Sequence, residues 1–490
     1  RLHVVLHDAD GAEPERFGSA ALDSAIRHFS QRLVRLGVRP GHCVLYQGHQ
    51  SVDALISFWA TVLIGGIFAP VDPEWPAYLG VKAREKAKPV VILADPDCMS
   101  FWQDNASVPV MCSSEAFDNT ASTGNKTPGL PAQVIPSSSI AAYLFTSGST
   151  GDPKAVMLSH EALARSAGLA TQTFHWLQRE TLVNLAEPHT MSGLRNGFLA
   201  APLAGSEWAI RPAWARSSIF GLIEFLTLSQ PHRLVAAPVL LRHLNLLGER
   251  LDTSALHRLA AFYCTGADLR NEDVKAFFER HRIPVINYYG LTETVGLCLC
   301  QSPSDWTAED DSLGKAVGCE TRIDESASTS SGIGELLVKQ PYPMSGYLGD
   351  LTSTAMRFDG EWLKTGDLAT QTPDGRIRLV GRIDSFIKTA GTDRLYPQEV
   401  ETVLESHEKV LEAACLGIPD NTGTERVTAL VVVYGEDSEP ESLVRALHDH
   451  TRQHLGIGRS PTQIRIVSAL PRTSNGKLQR NKLKDIVNAN

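Results

Sequence analysis

The sequence predicts an α/β protein with a large layered N-terminal domain of mostly parallel sheets and a small α+β C-terminal domain. Three observations carry this prediction. Helical and strand-like apolar patterns alternate along the first part of the chain, which is how helices come to cover a parallel sheet. The 490 residues, 43% of them hydrophobic, are enough for more than one substantial core. After Gly381 the texture changes to a smaller unit with its own strands and helices, so the domains are drawn as 1–383 and 384–490, with the boundary at Asp384.

The elements follow in order. Leu22, Ile26, Phe29, Leu33 and Leu36 recur at helical spacing, and Gly37 stands where that helix would stop. A strand, CVLYQ, begins at Cys43. The apolar run from Leu55 to Val71 holds Gly65, Gly66 and Pro70 and is shorter than the roughly 20 residues a membrane span needs. It reads as a buried helix over Ala54–Ile64, then a turn and a strand, and no membrane span is expected. Val90–Ala94 is a β-branched apolar run bounded by Pro89 and Asp95-Pro96, and the polar Ser113–Pro131 stretch is a loop. Arg233–Ala237 and Pro284–Tyr289 are buried strands that lead into functional loops, while SASTSS from Ser326 is a surface turn. The last unit has a strand in ALVVVY from Ala429 and a helix over Leu443–Leu455.

Charge narrows the function classes. With 46 Lys and Arg against 55 Asp and Glu the formal charge is −9, whereas a nucleic-acid binder would show a basic footprint. The eight cysteines form no CxxC pair and sit in apolar contexts, so they read as reduced core residues. No basic-apolar-small signal segment opens the chain, although no initiator Met does either, and a cytoplasmic protein is expected.

The segment YLFTSGSTGDPKAVMLSH, Tyr143 to His160, concentrates hydroxyls, glycines and one lysine between two apolar stretches. Gly148 and Gly151 let the backbone turn close to a ligand, Thr146, Ser147, Ser149 and Thr150 supply hydroxyl donors, and Lys154 supplies a cation. That set suits a polyphosphate, but it is not a Walker loop, because GxxxxGK[ST] is absent. Alone, it reads better as a hydroxyl-rich surface loop.

The order TSGSTGDPKA resembles the phosphate-binding signature TSG[ST]TGxPKG of the adenylate-forming superfamily, which spans acyl-CoA synthetases, nonribosomal adenylation domains and luciferases; Ala155 replaces the last glycine. Four further segments match the same superfamily in the same order, and the run Val62–Pro76 resembles its amino-terminal region. In NYYGLTET, Asn287–Thr294, the resemblance implies that Tyr289 stacks on adenine, Thr292 contacts the α-phosphate and Glu293 holds Mg2+, a hard cation suited to a carboxylate. In WLKTGDLA it implies that Asp367 accepts from the ribose hydroxyls. In the segment from Gly381 to Glu401, Arg382 is similar to a second ribose contact, Asp384 to the hinge of a mobile C-terminal domain and Gly391 to a thiol-tunnel position. In PRTSNGKLQRNKLK, Lys477 falls on the family's catalytic lysine. Read without that company, TGD is a common turn, Arg382 and Asp384 a local ion pair, and the last segment a solvated basic tail.

The resemblance implies ATP-dependent activation of a small carboxylic acid as acyl adenylate with release of pyrophosphate. The acyl group then passes to a thiol, either CoA or the phosphopantetheine of a separate carrier protein. Lys477, Mg2+ and the hydroxyl-rich loop neutralise phosphate charge, and no side-chain nucleophile is needed. The Tyr-Pro of TAGTDRLYPQEVE and the Leu of YGLTE resemble acyl- and aryl-CoA ligases rather than amino-acid adenylation domains. The acyl pocket is drawn from 187–197, 236–241, 262–268 and 288–290, which includes His189, Gly266, Ala267 and Gly290. His189 resembles the family's histidine near the carboxylate entrance, and reads as well as a satisfied loop histidine. Glu187 and Asp268 read better as structural carboxylates than as partners of a substrate ammonium. Two other readings stay open: an amino-acid-like adenylating enzyme that loads a separate carrier or an amine, and a nucleotide-binding protein without catalysis.

Overall fold

The structure, a computed structural model, describes residues 3–7, 13–116, 134–147, 152–251, 253–327, 332–388, 394–419, 425–435, 440–472 and 478–488. These residues fall into two compact units, one of 1–320 with 338–363 and one of 321–337 with 364–490.

Two sheets build the first unit. A six-stranded sheet runs in the order Val110–Cys112, Val91–Ala94, Cys43–Gln47, Ile67–Val71, Ile140–Ser147 and Pro153–Ser159, parallel except for the last pair, which is an antiparallel hairpin. Its central strands are buried residue by residue, because helices cover both faces and strict alternation would waste one of them. A nine-stranded sheet has six parallel strands at its centre: Val285–Leu291, Ala261–Cys264, Arg233–Ala236, Thr181–Asn184, Glu207–Ala209 and His3–Leu6. Antiparallel strands close its ends, with Gly296–Cys300 beside Val285–Leu291 and Glu15–Gly18 beside His3–Leu6.

The helices start where the sequence offers a cap. Ser51 Oγ accepts from Ala54 N at 3.0 Å at the head of Val52–Leu63, and Ser159 Oγ accepts from Ala162 N at 3.1 Å at the head of His160–Thr173. The first long helix, Ser19–Arg35, ends before Gly37, whose φ of 93° is left-handed. Met191–Ala204 is one continuous helical stretch whose middle, Leu194–Ala200, is wound as a π-helix. Such segments shift side chains off the α-helical register and are frequent at functional sites.

The second unit is built differently. Trp362–Gln371 pairs antiparallel with Ile377–Arg382, and Val410–Pro419 pairs antiparallel with Glu425–Val433, which pairs in parallel with Gln463–Ile466. Helices Pro397–Glu405, Pro440–Leu455 and Arg480–Asn488 accompany the latter sheet, so this part is α+β, with apolar clusters around Val400 and Leu447 and around Leu430 and Leu483. Asp384, expected as the boundary, lies inside this unit, just after the Ile377–Arg382 strand. Residues 117–133 of the expected polar loop lie outside the described residues.

Candidate active site

The phosphate-loop segment is mounted on the hairpin of Ile140–Ser147 and Pro153–Ser159, with Thr146 opposite Lys154. Gly148, Ser149, Thr150 and Gly151 lie outside the described residues, as do Gly391 and Lys477, and of Ser147 only the backbone is described. Ala155, the irregular letter of the signature, is fully buried in the second strand, where it opposes Phe145 and its carbonyl accepts from Leu348 N at 2.9 Å. It is not among the positive-φ residues, so no glycine is required there.

The segment 345–348 runs antiparallel to that strand, with Ser345 N donating to Met157 O and Met157 N to Gly346 O, and it brings Tyr347 beside Lys154. Lys154 Nζ lies 5.1 Å from the centre of the Tyr347 ring and donates to Ser353 Oγ at 2.9 Å. The Tyr347 hydroxyl in turn donates to Glu293 Oε1 at 2.8 Å. Burial pushes the Tyr347 pKa up, and the Glu293 charge pushes it further, so the phenol stays a donor. Arg357 Nη2 lies 3.7 Å from the same carboxylate oxygen.

Glu293 sits in the turn joining Val285–Leu291 to Gly296–Cys300, and Thr294 ties that turn together: its Oγ1 accepts from Leu291 N at 2.8 Å and donates to Gly296 O at 2.8 Å. Val295 follows with φ of 50°, costly for a β-branched residue, and its carbonyl accepts from Ser166 Oγ at 2.5 Å. Thr292 accepts through its carbonyl from Val295 N at 3.0 Å, and Tyr289 is half-buried. Gly290 has no room for a side chain, since a Cβ would collide with the Gly296 carbonyl. Backbone geometry thus holds Glu293 in a fixed place, and it is 8% exposed.

The remaining candidates of this unit are less clustered. Gly266, with φ of 89°, and Ala267 follow the Ala261–Cys264 strand, and Gly266 faces open space. His189 is half-buried, with Nε2 3.5 Å from Asp72 Oδ2; desolvation lowers its pKa, which Asp72 opposes. Glu187 has a full set of partners: Arg211 Nη2 at 3.1 Å, Gln50 N at 2.9 Å and His49 Nδ1 at 3.4 Å. Burial alone would raise its pKa, but the bond to His49 and the charges of Arg211 and Arg216 bring it to about 2. A carboxylate so engaged is not on offer to a substrate ammonium.

In the second unit, Asp367 and Arg382 are cross-strand partners, and Arg382 Nη1 donates to Asp367 Oδ1 at 2.8 Å. Thr365-Gly366-Asp367 lie within the Trp362–Gln371 strand and not in the turn that TGD reads as alone; Glu335 Oε1 accepts from Gly366 N at 2.9 Å, and Thr365 Oγ1 accepts from Asp367 N at 3.1 Å, so the segment is braced by a side chain from another strand. Arg382 Nε lies 3.5 Å from Asp384 Oδ1, so the local ion pair and the cross-strand pair coexist. Tyr347, Arg357 and Glu335 escape sequence reasoning. Only the Gly346-Tyr347 pair, with its glycine at φ of 114°, hints at a shaped turn.

Comparison with known proteins identifies the family and the fold. The AMP-binding enzyme family matches residues 3–348, and the AMP-binding enzyme C-terminal domain matches 399–477. The chain is 27% identical to an indoleacetate–CoA ligase of Aromatoleum aromaticum, over 97% of this chain and 94% of that one. It is 28% identical to a 4-hydroxybenzoate–CoA/benzoate–CoA ligase of Rhodopseudomonas palustris, over 97% and 90%. Its fold matches the crystal structure of the anthranilate CoA ligase AuaEII in complex with anthranoyl-AMP with a TM-score of 0.87 at 23% identity, covering 99% of this chain and 95% of the other. ATP-bound MatB from Rhodopseudomonas palustris matches at 0.85 and 22% identity, with 99% and 95% covered. These matches bear out the α/β class and the adenylate-forming reading, in which an acid is activated with AMP and passed to a thiol. No helix among the described residues is long and apolar enough to cross a membrane. With the nucleotide-binding unit and the C-terminal domain both matched, this chain belongs to the AMP-binding enzyme family.

Proposed function

We propose that this protein is an ATP-dependent, AMP-forming ligase that joins a small carboxylic acid to CoA. In the first half-reaction a carboxylate oxygen attacks the α-phosphorus of ATP and pyrophosphate leaves. In the second the CoA thiol attacks the acyl carbonyl and AMP leaves. The observation that carries the reading is the chain of contacts Lys154–Tyr347–Glu293, which links the phosphate-loop hairpin to the YGLTE turn. A cation and a carboxylate held at the two ends of one tyrosine suit a polyphosphate and its counter-ion.

Glu293 fits Mg2+: it is a hard oxygen donor held in place by Tyr347, and no group of three or more His, Cys, Asp or Glu among the described residues competes as an all-protein metal cage. When bound, the ion would neutralise phosphate charge. Thr292 is assigned to the α-phosphate, Tyr289 to adenine, Asp367 and Arg382 to the ribose, and Lys477 to the charge that develops as pyrophosphate departs. His189, Gly266, Ala267 and Gly290 are assigned to the acid, Asp384 to the hinge between 1–383 and 384–490, and Gly391 to the thiol path. CoA is favoured as acceptor because the relatives named above are CoA ligases over nearly their whole length.

Acid-dependent ATP–pyrophosphate exchange across a panel of carboxylic acids tests the first step, and mass spectrometry of products formed with CoA or a holo-carrier protein tests the acceptor. Acyl transfer to the carrier with none to CoA would overturn the assignment of CoA.

A further inference from the structure

A buried arginine without an acid partner among the described residues stands where two of the segments expected to bound the acyl pocket meet. Arg195, in the π-helical segment Leu194–Ala200, is 1% exposed. Its Nε donates to Asn196 Oδ1 at 2.9 Å, and its guanidinium carbon lies 5.4 Å from the centre of the Tyr288 ring and 6.0 Å from that of Phe174. Its Nη2 has no hydrogen-bond partner among the described residues. Burial lowers its pKa, and the groups that oppose this most are Tyr288, Cys300 and Cys298, none of them a carboxylate.

The surroundings are polar on one side. Ser192 Oγ and the Tyr288 hydroxyl share a hydrogen bond of 2.8 Å, and Asn196 Nδ2 reaches both, at 3.0 Å and 3.4 Å. Four polar side chains from one helix and one strand therefore meet here, Arg195, Asn196 and Tyr288 buried and Ser192 half-buried, and together they carry one positive charge and no negative one.

Their position is tied to the candidate site. A Cβ on Gly296 would come within 2.6 Å of Arg195 Nη1, and Gly296 is the cross-strand partner of Leu291 in the YGLTE segment. The guanidinium thus packs against Gly296, on the strand paired with the backbone that leads into Thr292 and Glu293. A guanidinium taken out of water calls for an anion, and a planar fork with Nη2 unpaired calls for a carboxylate oxygen. The flanking aromatic rings offset part of that need through their π faces, but they leave Nη2 unmet.

We propose that Arg195 is a specificity-determining residue that seats a second carboxylate of the substrate, so that the acid activated here is a dicarboxylic acid. One carboxylate is adenylated near Thr292, and the other accepts from Arg195 Nη2, with the Tyr288, Ser192 and Asn196 cluster beside it. The inference rests on the adenylating function proposed above and names its substrate class.

The test compares matched acids in ATP–pyrophosphate exchange with the intact chain: malonate with propionate, succinate with butyrate, glutarate with valerate, and phthalate with 2-methylbenzoate. In at least one pair the diacid is expected to exceed its monoacid by tenfold or more in kcat/KM, mostly through KM. Arg195→Met should erase that preference by weakening the diacid tenfold or more while sparing the monoacid, and Arg195→Lys should restore part of it. Monoacids used as well as, or better than, their diacids by the wild-type enzyme would overturn the proposal, and this arm stands even if Arg195→Met fails to fold. So would equal losses for both members of a pair in a folded Arg195→Met variant. Absence of exchange with every acid of either kind would instead overturn the adenylation reading itself.

Discussion

Tyr347 and Glu293, separated by 54 positions in sequence, are joined by a hydrogen bond of 2.8 Å from the phenol to the carboxylate. The bond fixes the orientation of the one acidic side chain in the YGLTE turn and spares it the cost of a bare charge in a buried place. Tyr347→Phe should leave the fold intact and raise the Mg2+ concentration needed for half-maximal exchange. A hydrogen bond to a charged group contributes about 1.5–3 kcal/mol, so a loss of roughly 10- to 100-fold in kcat/KM for ATP is expected. Exchange measured against Mg2+ concentration checks this; an unchanged Mg2+ dependence would show that Tyr347 does not position Glu293.

Glu187 makes stability depend on acid. Its pKa is brought from 4.5 to about 2 in the folded chain, so the contribution is complete above the unfolded value and is lost as pH falls from about 4.5 toward 2. The shift corresponds to something on the order of 3 kcal/mol. Glu187→Gln should therefore lower stability at pH 7 and flatten the acid limb of stability between pH 5 and 3. Denaturant unfolding at several pH values reads both effects, and an identical acid limb in the variant would refute the role given to the pair with Arg211.

Asp367 is expected to hold the ribose. Asp367→Asn keeps the shape but weakens acceptance from two hydroxyls and removes the charge from one of the carboxylates that pair with Arg382. Binding of ATP and AMP should weaken by about tenfold, a cost near 1.4 kcal/mol, and titration calorimetry would show it. Unaltered AMP affinity in a folded variant would remove Asp367 from the nucleotide site.

Lys477→Ala should nearly abolish adenylate formation while leaving the unfolding transition unchanged. A removed ammonium at the point where pyrophosphate charge develops acts on the rate rather than on the fold. Exchange at the normal rate in the folded variant would withdraw the catalytic role.

Much of the chain was legible because the signals are local. The helix expected over Leu22–Leu36 is Ser19–Arg35, the run Leu55–Val71 is the helix Val52–Leu63 followed by the strand Ile67–Val71, and Pro284–Tyr289 is the strand Val285–Leu291. Each is set by side-chain period and by residues that cap or break, which act over a few positions. Glu187 was less legible. The partners that hold its charge, His49, Gln50 and Arg211, come from two distant stretches of sequence, and nothing beside Glu187 announces them.

The sequence by itself determined the class of fold, the order of the motifs and the family. Apolar periods dictate which elements form, and the motif residues carry their chemistry in their own side chains. Only the tertiary structure decided which of those groups are engaged and by what. It placed Tyr347 on Glu293, braced the strand segment at Asp367 with Glu335, and left Arg195 buried with an unmatched Nη2. The physical reason is that desolvation and pairing depend on distance in space, and strand order brings together residues that the chain keeps far apart.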